Sequence, residues 1–503
     1  MKRILAILLL LCLLTGCVTQ GEYIPTGGGF ADGDGTPLET QGQISGQLRL
    51  PCNNDSSFHP YTATDSNNRA LLSLVYQGLF AINDEYEITP ILCKSYQVSQ
   101  DLRTYTFYLE DATFSDGQTV TAQDVVASYK AAKDTGYFSG RLLNLKSIYA
   151  AEDGGVVMTM DIPYGNLPLL LDIPIVKASE IDAAIPLGTG PYILETVDGG
   201  KQLRRQAAWW CTASLSITAP VIPLLHGTSQ QELWDLYKFS ELSMVCTDDY
   251  VDFRGDYELW ECENGMFIYL ACNAKSPVFS NDAIRQSLTH AIDRDTLVSK
   301  FFRGFAHSAT LPATPSFPYY SLTLAEKYGY QPELFAQAVA DAGLTDNAVT
   351  LLVNKDDSIR VSLAQNIAEM LENGGLAVTI PELSGEKYLK ALKDGQYDLH
   401  LGQTKLSPNM DLTAFFSQDG TLNFGGLSDV AINAMNQQAL ANEGNYQSLH
   451  KIVMEDGSLC PILFRSYAIY GRRSVFSGLA PARDNVFYYT LGKTMADVRQ
   501  IGE

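Results

Sequence analysis

Positive charge and histidine are both scarce in this chain. Its 503 residues hold 35 Lys and Arg against 57 Asp and Glu, a formal net charge of −22, with only 6 His. A polyanion is repelled by phosphate backbones, so nucleic acid is not an expected partner. The charges are scattered rather than blocked and describe a solvated acidic surface, which identifies no ligand. No cysteines stand at C-x-x-C spacing and no His accompanies them at ligand distance, which removes the usual zinc patterns. There is no glycine-rich phosphate loop and no recognisable nucleophile–base spacing; His59, His226, His290, His307, His400 and His450 are dispersed. Catalysis, a cofactor and a resident metal are therefore not expected. Beyond the N-terminus, no apolar stretch approaches the roughly 20 residues that a membrane-spanning helix needs.

The N-terminus carries the first positive signal. Lys2 and Arg3 precede an apolar run from Ile4 to Leu14, and the small residues Thr15 and Gly16 follow. That is the layout of a secretory signal peptide. The run ends in Leu14-Thr15-Gly16-Cys17, which resembles the lipobox of bacterial lipoproteins. This likeness implies lipid on the Cys17 thiol, cleavage before it, and a mature chain anchored outside the cytoplasm on the bacterial cell membrane. Residues 18–46 are rich in Gly, Thr and Asp, with three glycines at 27–29. Such a stretch buries too little surface to offset its ordering entropy and reads as a flexible tether. From residue 47 onward the chain is long enough for two or three domains. Its overall composition, 46% hydrophobic and 18% charged, is that of a globular protein.

Cysteine is present in an awkward number. Apart from Cys12 and Cys17, the chain has Cys52, Cys93, Cys211, Cys246, Cys262, Cys272 and Cys460. An odd count cannot pair fully within one chain. Buried thiols are the reading, with Cys246–Cys262 the one candidate disulfide.

Short strands and helices alternate along the body, which makes mixed α/β the natural class. Gln47 to Leu50 alternates as a strand. Asn67 to Phe80 reads as a helix, with Leu71, Leu74, Val75 and Leu79 at helical spacing and Gly78 at its end. Tyr96 to Leu109 holds two strands around the turn cluster Ser99-Gln100-Asp101. Thr121 caps the next helix and Asp124 can reach back to it. Gly188-Thr189-Gly190-Pro191 offers two glycines for unusual backbone angles before a strand. Arg285, Asp293 and Arg294 can form an ion-pair network around a helix over 282–292.

Several of these segments recur in a familiar order. Ser57-Phe58-His59-Pro60 is followed by Leu74-Val75-Tyr76-Gln77-Gly78-Leu79-Phe80, by Thr89-Pro90-Ile91-Leu92 and by Phe114-Ser115-Asp116-Gly117. Gly188-Thr189-Gly190-Pro191-Tyr192 and Tyr269-Leu270-Ala271-Cys272-Asn273 come later. The ordered set spans nearly the whole mature chain. It resembles the family 5 extracellular solute-binding proteins, the dipeptide, oligopeptide and nickel receptors of ABC importers. The resemblance implies a bilobal, type II periplasmic-binding-protein-like α/β fold with an extra subdomain and a ligand cleft between lobes. On that map residues 47–80, 188–266 and 474–503 form the core of lobe 1. Residues 81–187 are its extra subdomain, and 267–473 form lobe 2.

The implied function is capture of a small peptide or peptide-like solute by hinge closure, followed by delivery to the permease subunits of an ABC importer. The chain would act as a monomer held to the membrane by its lipid. Two alternatives stay open: a receptor for a metal chelate or other non-peptide solute, with His59 and His400 near cleft segments, and a sensor without transport. The cleft residues carried over are Tyr61, Thr62 and Thr64, then Gln403, Thr404, Lys405, Asn409 and Asp411, then Asn423 and Phe424. Peptide-binding members usually carry an Asp for the peptide ammonium near what is Pro408 here. Either Asp411 substitutes for it or the amine anchor is absent, and Lys405 can instead pair an anionic group. Replacing the lipobox cysteine, Cys17→Ser, is expected to abolish incorporation of labelled palmitate and to release the protein from the membrane fraction.

Overall fold

The computed structural model describes residues 48–211, 215, 217–239, 241–248, 255–473, 475–476, 478–489 and 495–501. The expected leader with Cys17, the tether over 18–46 and parts of the segment from 474 lie outside them. Among the described residues, no helix is long and apolar enough to cross a membrane.

Two lobes are built on three larger sheets. In the first lobe a four-stranded sheet runs in the spatial order Leu50–Cys52, Val221–His226, Gly200–Arg205, Tyr192–Val197. Beside it, Cys93–Val98, Thr104–Leu109, Val156–Met160 and Leu145–Ala150 form an antiparallel meander. Arg499–Ile501, near the C-terminus, adds a parallel edge strand to Cys93–Val98. Alternation explains the inner face of this sheet: in Thr104–Leu109, Tyr105 and Phe107 point inward and stack against Tyr96. Both sheets share one apolar core.

A seven-stranded sheet reaches from the first lobe's core into the second lobe, in the order Met244–Thr247, Leu459–Gly471, Glu258–Cys272, Leu399–Lys405, Ala348–Leu352, Ala377–Thr379, with Ala306–Ser308 also pairing to Leu459–Gly471. The strand Glu258–Cys272 carries the chain between lobes and pairs antiparallel with Leu459–Gly471, which carries it back. Their register shifts between Glu263 and Phe267, where Gly265 adopts φ +69°. A left-handed backbone of this kind favours glycine. A side chain would also meet the Arg483 guanidinium, 2.9 Å from an added Cβ. This bulge is the bend between the lobes.

Several local expectations change. The helix expected over 67–80 spans only Ser66–Leu72. The Leu74 and Val75 carbonyls are taken instead by the amides of Tyr192 (3.0 Å) and Gly190 (2.9 Å), so tertiary pairing overrides the helical spacing. The same contact explains Gly188 and Gly190. Neither has positive φ; rather, an added Cβ would stand 2.2 Å from the Val75 carbonyl oxygen at 188 and 2.5 Å from that of Leu74 at 190. Close approach, not backbone freedom, demands glycine there.

Arg285 pairs with Asp282 at 2.8 Å, but among the described residues Arg294 joins no ion pair. Buried, it donates to the carbonyls of Thr289, Ala309 and Pro461, while Asp293 caps the next helix through the Thr296 amide at 3.0 Å. The candidate pair Cys246–Cys262 is not bonded, and no disulfide joins any of the seven cysteines. Cys246 lies opposite Ile469 and Cys262 opposite Tyr467, on the two strands flanking Leu459–Gly471. Strands two apart are separated by roughly 9–10 Å, beyond the roughly 7 Å Cα reach of a disulfide. The Thr121 cap is as expected, with the Asp124 carboxylate accepting from its amide at 2.9 Å. Gly190→Ala should lower unfolding free energy by about 2–3 kcal/mol, because a backbone oxygen cannot move aside as a side chain would. Urea unfolding reads this, and a loss below about 0.5 kcal/mol would contradict the close-approach argument.

Candidate functional site

Two adjoining cavities open between and beside the lobes. Tyr137 and Arg141 line both. The first cavity is bounded by first-lobe residues and the returning segment, among them Arg69, Tyr76, Gln77, Asp172, Asp484 and Tyr489. The second lies between Tyr137–Leu143 on one side and Thr404–Ser407, Asp411, Thr421 and Leu422 on the other.

Arg69 sits on the helix Ser66–Leu72, whose first turn is capped by the Asp65 carboxylate through the amides of Asn67 and Asn68, both at 3.0 Å. Its guanidinium lies 3.2 Å over the centre of the Tyr137 ring. Arg141 belongs to the short helix Ser139–Leu142 and is buried. It pairs with Asp172 and lies 4.0 Å from Asp484. Burial pulls its ionisation down to about 10, with Asp484 pulling the other way.

Lys405 stands across the cleft at the end of Leu399–Lys405. Its ammonium donates to Asp484 and to the Asn264 carbonyl in the interlobe bulge, and lies 4.6 Å from the Tyr137 ring centre. Burial lowers its ionisation to about 7 against the opposing pull of Asp484. Burial also pushes the Asp484 carboxyl up, but Lys405 and Arg69 outweigh that and hold it below the ordinary range. Arg483 completes the group by donating to Tyr86. Four basic side chains therefore gather with the carboxylates of Asp172, Asp484 and Glu263, in a chain that is acidic overall.

The carried-over residues divide. Thr404, Lys405 and Asp411 line the second cavity. Asp411 is held through one oxygen by Thr413 and by Asn436 at 2.8 Å. Its other oxygen has only long contacts, 3.5 Å each, to Asn144 and Tyr164, which leaves it accepting capacity. Tyr61, Thr62, Thr64, Gln403, Asn409, Asn423 and Phe424 line neither cavity. Tyr61 is buried, donates to the Pro174 carbonyl at 2.8 Å and meets the Phe138 ring edge-on, buttressing a residue of the first cavity. Thr62 and Thr64 are exposed, and the hydroxyl of Thr62 bonds Ser57 at 2.7 Å. Gln403 accepts weakly from Arg465 at 3.5 Å. Asn409 accepts from Ser407 at 2.7 Å. Asn423 braces its own loop, accepting from the Ser428 amide at 2.9 Å. Phe424 packs on the apolar cluster of Leu352, Tyr388 and Tyr397.

Neither His59 nor His400 reaches the cavities. His59 bonds the Ile181 carbonyl at 2.9 Å and His400 bonds Tyr388 at 2.8 Å. Burial and then Arg360 drive His400 down to about 3, so it is neutral. Sequence reasoning missed Arg69, Tyr137, Arg141 and Asp484. The available signal was cation scarcity: Arg69 lies among the apolar residues of a helix that packs inward.

The model of the bacterial extracellular solute-binding proteins, family 5, matches residues 87–424. The chain belongs to this family. The glutathione-binding protein GsiB of Escherichia coli K12 is 25% identical over 374 residues, covering 68% of this chain and 70% of GsiB. NikA from Brucella suis, solved with Fe(III)-EDTA, shares the fold at a TM-score of 0.72 and 20% identity, over 88% of this chain and 98% of that one. DppA from Helicobacter pylori, solved with the peptide STSA, gives 0.65 and 18%, over 90% and 99%. The two-lobed type II fold follows from these matches, and the family is one of extracytoplasmic solute-binding proteins of ABC importers.

The depressed Lys405 carries a stability consequence. Between about pH 7 and its ordinary value of 10.5 the unfolded chain binds a proton that the folded chain does not. Stability should therefore rise with pH across that window. Unfolding free energies measured from pH 6.5 to 10 should show the rise in the wild type relative to Lys405→Met. Parallel curves for the two proteins would contradict it.

Proposed function

We propose that this family 5 protein captures a small peptide-like solute bearing at least one carboxylate, holds it between its lobes, and delivers it to the permease of an ABC importer. The supporting observation is Arg141: buried, shared by both cavities, and one of four basic side chains gathered with three carboxylates. A carboxylate on the solute would add a further charge-assisted partner to this basic group. Asp411, across the second cavity, can accept from an ammonium on the same solute. The arrangement suits a zwitterion, and glutathione, named for the GsiB relatives, has that chemistry.

Lys405 is proposed as a brace of the interlobe bend rather than a solute contact, since Asp484 and the Asn264 carbonyl occupy its ammonium. Closure around the solute shifts the population towards the joined state. The lipid on Cys17, the monomeric state, and the lobe boundaries at residues 80, 187, 266 and 473 belong to this reading.

A second reading is favoured by the same cations. A carboxylate-rich metal chelate would satisfy Arg141 and Arg69 without using Asp411. Calorimetric titration with glutathione, trialanine, N-acetyl-trialanine and nickel–histidine separates the two. A carboxylate peptide should bind, and Arg141→Met should weaken it by about 2–4 kcal/mol. Asp411→Asn should affect only solutes with a free amine. Binding of the nickel chelate alone would move the protein to the second reading, and indifference to Arg141→Met would remove both.

A further inference from the structure

The lobes also touch away from both cavities. Residues 164–169 of the first lobe lie against the C-terminal end of the helix Val430–Ala441 in the second. The Gly165 amide donates to the Leu440 carbonyl at 2.8 Å. An added Cβ on Gly165 would stand 2.6 Å from the Ala441 carbonyl oxygen, so only glycine permits this approach. Asn166 donates to Glu443 at 3.1 Å, and Tyr319 donates to the other oxygen of that carboxylate at 2.6 Å. Apolar keys cross in both directions. Leu440 is buried in the core of the first lobe, while Leu169, with Ile82 and Tyr86, is buried in a core of the second. Gly165, Asn166, Leu169, Leu440 and Glu443 line neither cavity.

We propose that this contact is a closure latch, a lobe-to-lobe docking point that sets the fraction of joined molecules whatever solute the cleft takes. A solute that binds only the joined state has an apparent dissociation constant equal to the intrinsic one divided by the joined fraction. A contact outside the cleft changes that fraction without touching the solute, so it scales the affinity for every solute by one factor. The two leucine keys favour the joined state through apolar burial. The Gly165 amide and the Asn166–Glu443 pair fix where the surfaces meet. The inference rests on the bilobal fold and not on the choice of solute.

The test needs no ligand at its first step. Small-angle scattering and hydrogen exchange are measured on the wild type, Gly165→Ala and Leu440→Ala, with far-ultraviolet circular dichroism to confirm folding. The wild type should scatter with a measurable joined fraction that rises on adding solute, and should protect the Gly165 amide. Both variants should scatter as a wider particle and exchange faster at residues 164–169 and 438–443, with the sheets unchanged. Wherever glutathione and trialanine bind the wild type, each variant should weaken both by one common factor, about tenfold or more. Folded variants that scatter and exchange like the wild type would overturn the latch, as would a wild type already open in solution. So would opened variants with unchanged affinities. Should Gly165→Ala fail to fold, Leu440→Ala and Asn166→Ala decide by the same readings. A wild type that binds neither solute counts against the proposed function, while scattering and exchange still judge the latch.

Discussion

The antiparallel pairing of Glu258–Cys272 with Leu459–Gly471 is the constraint on which the rest depends, because it is how the chain passes out of one lobe and returns. Its register shifts twice, between Glu263 and Phe267, where Gly265 lies, and between Ile268 and Tyr269. A broken ladder leaves backbone groups that need other partners. Here the Leu406 amide takes the Gly265 carbonyl at 3.0 Å and Lys405 takes that of Asn264. The same bend draws in the returning segment, where the Asp484 amide donates to the Glu263 carbonyl at 2.9 Å. Three stretches far apart in sequence are thereby pinned at one point. The cleft is placed by that point.

Charge follows from this placement. Lys405 and Asp484 are buried together because the bend needs a donor for a stranded carbonyl, and a buried ammonium needs a counterion. Arg69 and Arg141 arrive from separate short helices, which leaves the local balance positive while the molecule as a whole repels anions. A small positive concavity in an acidic body focuses anionic solutes on the cleft rather than on the surface. Tyr137, with Arg69 over its ring and Lys405 nearby, joins cations from both lobes through its π face.

Local chemistry was readable in the sequence wherever the partners are near neighbours. Thr121 and Asp124 cap a helix, and Ser99 and Asp101 turn one strand into the next, because those contacts need only a few residues. The order of the motifs carried the family and the two-lobed fold. What could not be read depends on distant partners. The carbonyls of Leu74 and Val75 look helical until Gly190 and Tyr192 take them. Gly188 and Gly190 look like conformational glycines until the approaching backbone is seen. Arg141 has no local signature at all, since its importance comes from Asp172, Asp484 and the two cavities around it. Tyr61 and Phe424 follow a cleft motif in sequence, yet their side chains turn into packing beside it.

Six of the seven described thiols are buried, and they are shared between the lobes. Cys52, Cys93, Cys246 and Cys262 lie in the core of the first lobe, while Cys272 and Cys460 lie in the second. Burial raises the ionisation of Cys52, Cys246, Cys262, Cys272 and Cys460, and the thiolate is the nucleophile. In the folded state these sulfurs are chemically silent. Each core thus contains its own built-in stopwatch: alkylation can proceed only when that part of the chain opens. The order in which the sulfurs are captured would record which half of the molecule breathes first.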